Sequence, residues 1–151
     1  MRKAIAFFLS VSIFLSVAVP AGYAATAERT SSVVNLGDGI TVETNLTVHP
    51  SILRNNTKRA TRESVYKDNG TTIATVTLDA TFGYDGTTAW VVSASASCSV
   101  VSGWSYESES ISTTGATARV TATLKKWLLF ISVLSVPVDI SLKCSPTGTI
   151  S

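Results

Sequence analysis

Alternation of apolar and polar residues runs through most of the chain, and it has the two-residue period of strands rather than the 3.6-residue period of helices. Ile40, Val42, Leu46 and Val48 fall on one face, with Thr41, Glu43, Asn45 and Thr47 on the other, until Pro50 ends the run. A long second stripe sets Ala74, Val76, Leu78, Ala80, Phe82 and Tyr84 against Thr75, Thr77, Asp79 and Thr81. Trp90, Val92, Ala94, Ala96, Cys98 and Val100 then alternate with Val91 and a serine series from Ser93 to Ser99. Two further stripes follow, Ala116 to Leu124 and Val136 to Cys144, with a shorter one around Trp104, Tyr106 and Ile111. Pro137 lies in the last stripe, which fits an edge strand because proline has no N–H for a second neighbour.

The turns are marked as clearly as the strands. Asp68-Asn69-Gly70 is the strongest hairpin signal, since Asn-Gly accepts the positive φ angles of a type I′ turn. It joins a strand near Glu63–Lys67 to the long one beginning after Gly70, while Gly37-Asp38-Gly39, Asp85-Gly86, Gly103 and Gly115 mark the others. Six to seven strands at this spacing, rich in Thr, Ser and Val and with no convincing helix, predict an all-β, immunoglobulin-like antiparallel β-sandwich. A mixed α+β fold is the fallback. The stripes place Leu78, Phe82, Val92, Val120 and Ile140 in one core between two sheets.

One segment does not sort onto two faces. Lys125-Lys126-Trp127-Leu128-Leu129-Phe130-Ile131-Ser132-Val133-Leu134 is apolar all round after its two lysines, so it is either buried on both sides or displayed. It is too short to span a bilayer as a helix. Burial in the core or under a loop is the expectation. The alternative is interfacial insertion, because lysines beside an aromatic and leucine-rich stretch suit a membrane surface. Whether residues 125–136 form strand, helix or loop stays open.

The first 24 residues change the reading of composition. Arg2 and Lys3 precede an apolar run from residue 4 to 19, Pro20 breaks it, and Gly22 and Ala24 supply the small residues of a cleavage site, so residues 1–24 read as a cleaved signal peptide. Cleavage after Ala27 is the second choice. A retained anchor is the competing reading, but the run falls short of the ~20 apolar residues of a spanning helix. Residues 25–38 follow as an N-terminal extension or edge segment, and residues 39–151 as the sandwich domain. Of the twelve Lys and Arg, two leave with the leader, and ten remain against ten Asp and Glu. With a mature charge near zero, composition argues neither for nucleic acid nor for a membrane surface as a partner, and no nucleic acid is expected.

Export also implies an oxidising compartment. Cys98 and Cys144 both belong to inward stripes, so a disulfide between them is expected. Closing a loop of about 46 residues would stabilise by roughly 4 kcal/mol on the chain-entropy account. Two buried free thiols are the alternative.

Other candidate chemistry has ordinary explanations. Arg54, Lys58, Arg59, Arg62 and Lys67 form a basic stretch that would meet an anionic wall polymer or head group, or else make a solvated face. Glu107 and Glu109 share a strand face, yet the dense oxygen spacing of a calcium loop is missing. His49 is the only histidine and lacks companions for zinc. No Gly-x-Ser-x-Gly elbow occurs, and no motif requires a metal or cofactor. Trp90 reads as core, whereas Trp104, following Gly103, is a candidate for partial exposure. The Asn-x-Thr sequons at Asn45, Asn55 and Asn69 arise readily in such a composition.

From Ala80-Thr81-Phe82-Gly83-Tyr84-Asp85-Gly86 through Ser102-Gly103-Trp104-Ser105 to Val138–Gly148, the second half resembles a recurrent pattern in small, uncharacterised secreted β-rich proteins of Gram-positive bacteria. The resemblance implies secretion and a β fold, and brings no activity with it. The sequence thus points to a secreted, non-enzymatic binding or surface-interaction module whose partner is a protein, a glycan or another cell-envelope component. The alternative is a membrane-active, bacteriocin- or toxin-like protein working through residues 127–134. Candidate interaction residues are Lys125, Lys126, Trp127, Leu128, Phe130 and Trp104.

Overall fold

The computed structural model describes residues 27–50 and 56–151. The leader, Arg54 and Asn55 lie outside the described residues. Eight antiparallel strands follow in order: β1 Glu28–Gly37, β2 Ile40–His49, β3 Thr57–Asp68, β4 Thr71–Tyr84, β5 Ala89–Val100, β6 Trp104–Thr114, β7 Thr117–Leu128 and β8 Ile131–Lys143. They form a five-stranded sheet, β1-β2-β3-β4-β5, and a three-stranded sheet, β6-β7-β8. In each sheet every strand pairs with its neighbours in sequence, so the order is a meander. The all-β sandwich inferred from the alternation is the fold, and β8, which carries Pro137, is an edge strand.

The stripes become the core. Ala74, Val76, Leu78, Ala80 and Phe82 on β4 are buried against Ala118, Val120 and Leu124 on β7 and Val138, Ile140 and Leu142 on β8. Asn69 and Gly70 both take positive φ, at 48° and 83°, as a type I′ hairpin requires. Residues 28–37 form the outer strand β1, and the basic run enters β3, where the two-residue period splits it. Arg59 points outward and binds Asp79, while Arg62 points inward and donates through Nη1 to the Ser141 carbonyl on β8.

Two details depart from the stripes. Between Thr81 and Phe82 the β4–β5 register shifts, so that Phe82 faces Val91 rather than Val92. The bulge turns Val91 toward the core and leaves Val92 56% and Trp90 45% exposed. Val92 is therefore not a core residue, and neither is Trp90. A second bulge between Glu107 and Ser110 separates the two acids expected to share a face. Glu107 binds Lys125 and Ser105, whereas Glu109 acts on Cys98 and Tyr106.

The expected disulfide is absent: Cys98 and Cys144 are both free thiols. Strand register explains why. The Cys144 N–H bonds the carbonyl of Ala116, and the Val91 N–H bonds that of Gly115, so Cys144 lies at the Val91 end of β5. Cys98 is seven residues farther along β5, roughly 23 Å away at about 3.3 Å per residue, where a disulfide needs Cα atoms within about 7 Å. Two inward stripes share a core without their ends meeting.

Unequal sheets leave part of the larger one bare. The three-stranded sheet covers β3, β4 and β5, with β8 over β3 and β4, so β1 and β2 extend beyond it. Val34 and Leu36 on β1 remain about half exposed as a result.

Candidate functional site

Apart from Leu134, which packs against the core, the apolar part of the segment that resists two-face sorting is exposed. Trp127 and Leu128 complete β7, Ile131 begins β8, and Leu129 and Phe130 form the two-residue turn between them. The expectation of burial fails because the hairpin runs past the end of the five-stranded sheet, where no described residue lies over it. Phe130 is 98% and Leu129 83% exposed, and Leu128, Ile131 and Val133 are also exposed.

The turn itself is unusual. Leu129 and Phe130 adopt φ of 47° and 71°, the left-handed pair that a type I′ turn demands and that Asn-Gly supplies at the β3–β4 hairpin. A bulky residue is disfavoured there, at a cost of the order of 1 kcal/mol or more. The chain holds two large apolar side chains at positions where asparagine and glycine would be more stable.

Behind the tip, polar groups clamp the hairpin base. Trp127 donates its indole Nε1–H to Ser105 Oγ at 2.8 Å, Ser105 donates to Glu107 Oε1 at 2.7 Å, and Lys125 Nζ donates to Glu107 Oε2 at 2.7 Å. The hydrogen bonds from Lys125 and Ser105 hold the Glu107 carboxyl below its ordinary range. Lys126 donates to Asp68 Oδ2 on β3 at 2.8 Å, joining the two sheets, and its ammonium lies 5.7 Å from the ring centre of Trp104. Trp104 itself is half-buried and packs against the core.

All six candidate interaction residues therefore gather at one end of the sandwich, in layers. Leu128 and Phe130 belong to the exposed apolar tip, Trp127 to an aromatic collar, and Lys125, Lys126 and Trp104 to a charge-neutralised base. Both lysines are engaged by carboxylates, so the base is not a free cationic patch. Sequence reasoning missed Leu129 and Ile131 as separate members of the tip, although the same unsorted run contained them.

His49 is absorbed elsewhere, on the outer face of the larger sheet. Its Nε2 lies 2.9 Å from Thr61 Oγ1, and Thr61 in turn donates to Asp79. Burial pushes the Asp79 carboxyl up, but hydrogen bonds from Arg59 and Thr61 outweigh it and hold it below the carboxylate range. Comparison of the chain with protein-family models, with curated proteins and with solved structures gives no match.

Proposed function

We propose that the protein is an exported, non-enzymatic surface-interaction module that attaches to a lipid surface by its β7–β8 hairpin tip. The observation that carries this reading is the run of five consecutive apolar residues, Trp127 to Ile131, exposed on a turn whose backbone disfavours them. From the Trp127–Ser132 pair to the turn is two strand residues, or about 7 Å, within the ~5–10 Å depth reached by interfacial segments. Burying Leu129, Phe130 and Ile131 gains about 1.5–3 kcal/mol each before the cost of association. A convex tip with a tryptophan collar matches the layering of an interface, where an amphipathic ring sits between apolar and aqueous phases.

The paired lysines sharpen the proposal. Because Lys125 and Lys126 are neutralised by Glu107 and Asp68, attachment is driven by apolar area and not by lipid charge. In flotation assays the mature protein should rise with neutral phosphatidylcholine vesicles about as well as with vesicles containing anionic lipid. A Leu129→Ser, Phe130→Ser variant should stay folded and remain at the bottom of the gradient. Failure of the folded wild type to float with either vesicle would overturn the reading.

A further inference from the structure

The trough beneath β1 and β2 is bounded by the free edge of β8. Cys144, which bonds Ala116, fixes the parity of that strand from Leu134 onward: there the even-numbered residues turn their backbone groups to β7, and the odd-numbered ones turn away. At the far end of the edge, Lys143 exchanges both backbone bonds with Ser151, at 2.9 Å each. The edge is thus already in pairing geometry, with Ser151 standing where one residue of a neighbouring strand would. Among the described residues no backbone partner reaches Ser135, Pro137 or Asp139 on that side.

The space alongside is built for a strand. Adjoining cavities of about 320, 400 and 180 Å³ run the length of the trough, bounded by the inner faces of β1–β3 and by β8 residues from Leu134 to Ser141. The overhang is two strands wide, about 10 Å. Its ceiling is apolar at one end, with Val34 and Leu36 half exposed, and cationic at the other, where Arg62 has a buried Nε without a partner. A second copy pairing antiparallel through its own β8 would bring its overhanging β1 and β2 into the same space, so the occupant must be thin.

We propose that the free edge of β8 accepts an extended peptide as a fourth strand of the smaller sheet. It runs antiparallel to β8 in line with Ser151, with an acidic side chain at Arg62 and apolar side chains under Val34 and Leu36. Strand addition draws affinity from main-chain bonds and specificity from alternate side chains. Here the inward positions lie opposite Ile140, Val138 and Val136, so the recognised pattern is acidic-x-apolar-x-apolar from the N-terminal end. Pro137 has no N–H, which removes one bond from the ladder, and the Ser141 carbonyl has a second lone pair to share beside Arg62.

The test uses the mature full chain and a fluorescent peptide, Thr-Glu-Thr-Val-Thr-Val-Thr, read by anisotropy. Saturable binding is expected, weakened about tenfold or more when glutamine replaces the glutamate. N-methylation of the two central threonine amides, which face β8, should abolish it. An Arg62→Gln variant should bind both peptides alike, and if that variant does not fold, the peptide pair on the wild type still decides the acidic preference. Absence of saturable binding, or equal binding of the N-methylated peptide, would overturn the proposal. So would a concentration-dependent dimer that the peptide dissociates, since a second copy would then be the occupant.

Discussion

Gly83 on β4 and Trp90 on β5 are cross-strand partners, and the indole of Trp90 fills the place where a side chain at 83 would stand. A Cβ at position 83 would meet the indole Cε2 at 2.4 Å. The glycine is thus required by close approach and not by backbone angle, and the bulge beside it is what turns Trp90 onto the outer face.

Replacing Gly83 with alanine should therefore cost about 1–3 kcal/mol, the usual penalty of overpacking. Urea unfolding followed by tryptophan fluorescence measures it. A midpoint unchanged from the parent would mean that the Trp90 ring does not rest on Gly83.

The core makes a larger demand. Phe82 is fully buried between the sheets, and its truncation to alanine should destabilise by about 3–5 kcal/mol. The same change at Val92 should cost far less, because the bulge leaves that side chain outside. Equal losses at the two positions would show that the register of β5 is wrong.

Strand identity and phase were legible wherever burial on one face forced strict alternation, as along β4 and β7. The Asn69-Gly70 turn was legible because few other pairs accept its backbone angles. Three things were not. A one-residue bulge at Phe82 leaves no mark in composition, so Trp90 and Val92 kept the wrong phase. The partition into five and three strands depends on which hairpins stack, a long-range choice that local pattern does not encode. Residues 127–134 gave the candidate site its members but not its exposure, since an all-apolar run reads alike buried or displayed.

The free thiols give a chemical test of register. Burial pushes both thiols up from their ordinary pKa, so neither is activated. Cys98 is partly exposed and should react slowly with a maleimide, while Cys144, 1% exposed, should react only on unfolding. Denatured, unreduced protein should take up two labels by intact mass. No uptake without reductant would indicate the disulfide that the strand register forbids.

Stability should fall at both ends of the pH scale. The carboxyls of Asp79, Glu107 and Asp139 are all held below their ordinary values, the last chiefly by Arg119. Their contribution is complete above the unfolded values near 4 and is lost as pH falls through the lower folded ones. At the basic end, burial, reinforced by Asp139 and Cys98, raises Tyr66 to about 12. The unfolded chain ionises it near pH 10, so this contribution fades as pH rises between about 10 and 12. Denaturant midpoints should be flat from about pH 5 to 9 and drop on either side. A midpoint that holds down to pH 2 would show that these ion pairs do not favour the folded state.

The strained tip predicts that stability and attachment oppose each other. Leu129 and Phe130 hold positive φ in the turn geometry for which Asn-Gly is best suited. A Leu129→Asn, Phe130→Gly variant should relieve the strain and raise stability by about 1 kcal/mol or more. It also removes the two most exposed apolar side chains, so flotation with phosphatidylcholine vesicles should be lost. A tip that served only to join two strands would gain stability with no loss elsewhere, and a variant that is both more stable and fully vesicle-bound would show that the apolar turn has no part in attachment.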